Sequence, residues 1–150
     1  MGATGRASKA PLGGPLRAAP GHIEIAVVGA HLSGMPLNHQ LRDLGGVFLR
    51  AVETVPAYRL YALPGTVPPK PGLLRVAEGG ASIAAEVWSL DPAGFGTFVA
   101  AIPAPLGIGT LAFTDGTSSH GFLVEPTAVS DAPDISHFGG WRGYVASKAG

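Results

Sequence analysis

Apolar and polar positions fall into short blocks along this chain, and most blocks end on glycine or proline. Residues 23–30 are nearly continuous in apolar side chains, which predicts a central strand buried on both faces. Asn38 predicts the cap of a short helix reaching about residue 44, closed by Gly45-Gly46. Residues 47–54 and 58–61 mix apolar groups with single charges, as strands with one wet face do, and are expected to pair across the Pro56-Ala57 turn. Pro64-Gly65 and the Pro-Pro-Lys-Pro-Gly run at 68–72 predict a long, stiff, exposed loop, because proline lacks an amide donor and restricts its predecessor. Residues 73–76 and 83–90 read as two strands joined across Gly79-Gly80. Asp91-Pro92 supplies a cap and an N1 proline for a helix to about residue 101. Residues 108–113 and 121–125 predict a hairpin around Asp115-Gly116, and residues 134–146 close the chain as an irregular turn or short helix. About six strands with two or three short helices, at spacings too short for helical crossovers, argue for an α+β fold with a mixed, curled sheet or partial β-barrel. A parallel doubly wound sheet is disfavoured.

Composition sets the boundaries. With 150 residues, 46% hydrophobic and 13% charged, the chain supports one core, placed at residues 22–147. Residues 1–21 are Gly, Ala, Pro and basic groups with two leucines, too little apolar area to offset the entropy of ordering, so they read as a flexible tail or linker. Scattered prolines there work against the amphipathic helix of a transit peptide. Residues 148–150 are expected to fray. Ten basic and ten acidic side chains sum to zero and do not cluster, which argues against nucleic-acid and membrane-surface partners and for a small molecule or a protein. The lack of cysteine excludes disulfides, thiolate catalysis and Cys-type zinc sites, and fits a cytoplasmic protein. No window reaches the roughly 18 apolar residues of a membrane span.

Chemistry is concentrated where the first apolar run stops. Gly29-Ala30-His31-Leu32-Ser33 forms a polar loop that begins at a strand end, and His31 is its titratable group. His31 and His39 are too far apart on different elements for a metal pair, so no metal or other cofactor is expected. Lys70 sits in the proline loop, which either fixes its amine over an anion or leaves it on the surface. Glu86 lies within an apolar strand and needs a partner. It is read first as a structural group bonded to the loop after the first strand, and second as a group that tunes the pKa of His31. His39 and His120 read as surface residues, and Tyr58, Tyr61, Trp88 and Trp141 as core.

Four stretches carry a family resemblance. They are Gly29-Ala30-His31-Leu32-Ser33-Gly34-Met35-Pro36-Leu37-Asn38; Tyr58-Arg59-Leu60-Tyr61-Ala62-Leu63 with Pro68-Pro69-Lys70-Pro71-Gly72-Leu73; Glu86-Val87-Trp88-Ser89-Leu90 running into residues 98–109; and Asp134-Ile135-Ser136 with Phe138-Gly139-Gly140-Trp141-Arg142. In this order they resemble the C-terminal domain of allophanate hydrolase, over nearly all of residues 23–145. The resemblance implies a γ-glutamylcyclotransferase-like fold, in which the loop after the first strand holds the substrate by its backbone amides. Cyclotransferases also use a carboxylate soon after the helix that follows the Gly-Glu-Val-Tyr-type strand; Ile102-Pro103-Ala104 stands there in this chain, so γ-glutamyl cyclisation is not expected.

The resemblance further implies decarboxylation of N-carboxycarbamate in urea-derived nitrogen metabolism, downstream of an amidase. It assigns the catalytic role to His31, whose imidazolium would stabilise developing charge and deliver a proton. Gly29, Ala30, Leu32 and Ser33 would hold a small anionic substrate, with Arg59 and Lys70 as candidate cations and Glu86 counted among the substrate-binding residues. An amidase is the expected partner, supplied by the same polypeptide or a separate one, since the chain shows no amidase signature; a homodimer is left open. Two alternatives stand beside this reading: a non-catalytic dimerisation or stabilising module for an amidase, and a stand-alone protein acting on another small carboxylate.

Overall fold

The computed structural model describes residues 17–149, so the first sixteen positions of the expected tail lie outside the described residues. Seven strands follow in order: β1 (Ile23–Val27), β2 (Val47–Glu53), β3 (Tyr58–Ala62), β4 (Pro71–Arg75), β5 (Ala84–Leu90), β6 (Leu106–Ala112) and β7 (Ser118–Val124). The helices are α1 (Asn38–Asp43), α2 (Pro92–Ala100) and α3 (Trp141–Ala149), with 3₁₀ turns at Pro126–Val129 and Ser136–Phe138.

Five strands form one mixed sheet in the order β2-β5-β1-β7-β6, with β1 at its centre as the unbroken apolar run predicts. β1 is antiparallel to β5 and parallel to β7; the other neighbours are antiparallel. The sheet curls until its edges meet at one end. Thr54 bridges Phe113, the Val55 amide donates to the Ala112 carbonyl (3.0 Å), and the Thr114 amide donates to the Glu53 carbonyl (2.9 Å). A register shift between Phe48 and Arg50 in the β2–β5 pair adds the local twist such closure requires. Ile25, Leu60, Leu73, Ile83, Leu90 and Leu111 fill the interior and are essentially inaccessible to solvent. β3 and β4 form a separate hairpin fastened to the curled sheet, with the Tyr58 hydroxyl accepting from the Ala112 amide (3.1 Å) and from Arg75 (2.8 Å).

Strand pairing departs from the sequence reading in two places. Residues 47–54 do not pair with 58–61; β2 lies on β5, and β3 pairs with β4 across the proline-rich loop. Likewise β4 and β5 are not partners across Gly79-Gly80. Proximity in sequence favours hairpins, but β5, buried at six of its seven positions, takes a place inside the sheet with β1 and β2 hydrogen-bonded along its two edges. Pro71 and Gly72, expected in the exposed loop, are buried in β4. Asn38 is the first residue of α1 rather than its cap, and its side chain is used elsewhere. α3 is helical to Ala149, where the sequence reading has a frayed end.

The capping signal at α2 is realised. Asp91 accepts from the Gly94 amide at 2.6 Å, with Pro92 at the first helical position. Asp91→Ala is therefore expected to lower stability by about 1 kcal/mol, read as a lower urea midpoint with an unchanged slope.

Candidate active site

β1 ends at Val27, and the chain then turns sharply through Gly29 and Ala30 to His31. Gly29 is fixed by contact: a Cβ built there would lie 2.3 Å from Cδ of Pro71, so only glycine lets the loop rest on the start of β4. That contact brings His31 beside Lys70, the neighbour of Pro71. Gly29, Ala30, His31, Lys70, Ile102 and Phe122 are among the walls of a cavity of about 40 Å³. At roughly 10–15 Å³ for each water-sized group, the cavity holds about three such groups, the size of one carboxylate of a guest whose remainder lies at the mouth.

The loop amides divide into two sets. The Leu32 amide donates to the Gly29 carbonyl (3.0 Å) and the Ser33 amide to Glu86 Oε1 (2.9 Å). No protein acceptor among the described residues takes the amides of Gly29, Ala30 and His31. Lys70 is half-buried and has no carboxylate partner among the described residues. An uncompensated ammonium beside spare amide donors favours an anionic guest.

His31 is 8% exposed. Its Nε2 lies 2.7 Å from Oε1 of Gln40, and its ring meets Phe98 edge-on with centroids 4.9 Å apart. Burial lowers its pKa below the ordinary imidazole value; the Gln40 hydrogen bond opposes this, and the charges of Lys70 and His39 add to it. Burial and these charges thus disfavour the imidazolium while the cavity holds no anion.

Glu86 holds the loop from below. Its Oε1 accepts from the Ser33 amide (2.9 Å), the Ser33 hydroxyl (2.9 Å) and Trp88 Nε1 (3.1 Å), while Oε2 accepts from Arg142 (2.9 Å). Arg142 also donates to the Ser33 carbonyl at 2.6 Å. Burial pushes the Glu86 carboxyl up, but the hydrogen bonds from Ser33, Trp88 and Arg142 outweigh it and hold its pKa below the ordinary glutamate value.

Of the residues singled out in the sequence, the fold thus gathers Gly29, Ala30, His31 and Lys70 around one cavity and sets Leu32, Ser33 and Glu86 behind it. Arg59 is not brought there. It donates to Asp134 Oδ2 (2.8 Å) and to the Gly79 carbonyl (2.8 Å), and tethers β3 to the segment before the last 3₁₀ turn. Sequence reasoning overlooked Gln40 and gave no role to Arg142. No spacing rule sets a helical glutamine against a loop histidine nine positions earlier, and only the intervening turn does so.

A larger, more open cleft of about 480 Å³ is lined by Glu53, Glu86, Asp115 and Arg142 among others. The Arg142 guanidinium there is already engaged by Glu86 and Ser33, and carboxylates surround it, so the smaller cavity is the better anion site.

A small mixed sheet curled into a partial barrel, with a buried glycine loop leaving its central strand, defines a protein of γ-glutamylcyclotransferase-like fold. A γ-glutamyl cyclotransferase superposes with TM-score 0.51 over 75% of this chain and 69% of that one, at 10% identity, a likeness of fold alone. Residues 23–146 match the allophanate hydrolase C-terminal domain family, and the chain belongs to that family. It is 40% identical to urea amidolyase of Saccharomyces cerevisiae over 126 residues, 81% of this chain but 7% of the yeast protein. Kluyveromyces lactis urea amidolyase matches at 39% identity and TM-score 0.81, covering 85% of this chain and 8% of that one. A protein specific to uropathogenic E. coli matches at 33% identity and TM-score 0.77, over 83% of this chain and 96% of the E. coli chain. This chain thus spans only a small fraction of the yeast enzymes and nearly all of the bacterial protein.

Proposed function

We propose that the domain removes carbon dioxide from N-carboxycarbamate in urea-derived nitrogen metabolism, after an amidase has released ammonia from allophanate. The observation that carries this reading is that one small cavity is lined by the buried His31, by Lys70, which has no carboxylate partner among the described residues, and by Gly29 and Ala30, whose amides, with that of His31, have no protein acceptor among them. One carboxylate of the guest is matched by the loop amides and its second charge by Lys70. The guest's negative charge raises the His31 pKa, so the ring gains a proton as the complex forms. When the N–C bond breaks, carbon dioxide departs, the bonding pair stays on nitrogen, and the imidazolium proton passes to that nitrogen to give carbamate. Ile102 in the cavity wall, where the cyclotransferases carry a carboxylate, supports a reaction other than γ-glutamyl cyclisation.

A second reading, a stand-alone protein acting on another small carboxylate, is favoured by the near-complete coverage of the E. coli chain. The deciding experiment generates N-carboxycarbamate with a separate amidase and times carbon dioxide release with a stopped-flow pH indicator. Release faster than in the protein-free reaction is expected. Identical rates with and without the domain would overturn decarboxylation.

A further inference from the structure

The structure assigns to Gln40 a role that no spacing in the sequence indicates. We propose that Gln40 is a positioning residue that fixes His31 as its Nε2–H tautomer, leaving Nδ1 as the nitrogen that exchanges a proton with the guest. This rests on the decarboxylation reading for the identity of the guest, but not for the state of the ring.

The geometry is specific. An amide oxygen has lone pairs and no hydrogen, so Oε1 of Gln40 at 2.7 Å requires Nε2 to be the donor. In a neutral imidazole the other nitrogen is then unprotonated. The backbone of His31 is fixed by the same helix: Asn38 Nδ2 donates to the His31 carbonyl (2.8 Å), and Asn38 Oδ1 accepts from Arg42 Nε (2.9 Å), which sets the orientation of the Asn38 amide. One turn of α1 therefore holds both the main chain and the ring of His31. Phe98 of α2 covers the ring from another side and offers no competing acceptor.

The choice of glutamine over glutamate has a chemical consequence. The charged or titratable groups that act on His31 are Lys70 from the β3–β4 loop and His39 from α1, and both disfavour the imidazolium. A carboxylate at position 40 would counter them and keep the ring charged without a guest. An amide directs the ring and leaves its charge to be set by the guest. Protonation is thereby tied to occupancy of the cavity.

Two-bond ¹H–¹⁵N correlation spectra of histidine-labelled, ligand-free protein read the tautomer without any turnover. Above the imidazole pKa, His31 is expected to show a protonated Nε2 and a bare Nδ1. Gln40→Leu is expected to bring the two nitrogens toward averaged shifts, and Gln40→Glu to keep the Nε2–H form while raising the pKa by about one unit or more. In the carbon dioxide assay Gln40→Leu should lower kcat by about tenfold or more, since a mis-set tautomer disables a proton-transfer histidine, with KM changed far less. An Nδ1–H tautomer in the intact protein, or an unchanged tautomer in folded Gln40→Leu, would overturn the proposal. The expected spectra in a protein that does not accelerate carbon dioxide release would instead uphold the positioning role and sink the decarboxylation reading alone.

Discussion

Replacing His31 with alanine is expected to slow protein-dependent carbon dioxide release by about 10²- to 10⁴-fold, the range over which a positioned proton donor acts. The loss should fall on kcat. Lys70 and the amides of Gly29, Ala30 and His31 remain in the variant, so binding of the dianion, and with it KM, should change little. The intact protein should also lose kcat as pH rises through the pKa of His31 in the complex, because the ring must carry a proton when carbon dioxide leaves. His31→Gln serves as a control for volume, since it refills part of the space against Phe98 without supplying a proton. Full turnover in either variant would remove His31 from the reaction and leave the loop as a scaffold.

Replacing Glu86 with alanine is expected to give the largest loss of stability among the site residues, about 2 to 4 kcal/mol, because it strips acceptors from the Ser33 amide and the buried Trp88 indole. Arg142 loses its carboxylate in the same step. Urea unfolding at pH 7 checks the magnitude, and its pH dependence checks the cause. The folded pKa of Glu86 lies below its ordinary value of 4.5, so the stability it contributes is complete above that pH and is lost as pH falls through the folded pKa. Glu24, paired with Arg50 at 2.9 Å, and Asp134, paired with Arg59 at 2.8 Å, act in the same direction. The intact protein should therefore weaken on acidification below about pH 4.5, and the Glu86→Ala protein should weaken less steeply. Equal slopes for the two would show that the carboxylate is not charged in the fold.

Local features were the legible ones. The strand read at 23–30, which forms over 23–27 before the chain turns, the Asp91-Pro92 helix start and the Asp115-Gly116 hairpin each depend on interactions within a few residues. Partnership between distant strands was not legible. That β2 joins β5 is a property of the assembled sheet, in which the buried β5 has β1 and β2 along its two edges, and no window of sequence contains it. The candidate site follows the same division. The family resemblance singled out His31, and the stiff loop singled out Lys70, but their meeting depends on the Gly29–Pro71 contact across 42 positions of chain. Arg59 was read as a ligand cation because its partner Asp134, 75 residues away, has no sequence signal that would claim it.

The span between Ser33 and Arg142 carries a consequence for how the domain matures. The guanidinium that grips the Ser33 carbonyl arrives 109 residues later, on the last helix. During synthesis the first loop emerges early and lacks this last anchor, though not Asn38 or Glu86, until residue 142 has left the ribosome. Nascent chains halted before residue 142 should leave this loop open to protease, and those released beyond α3 should close it, so competence waits for the first turn of that helix.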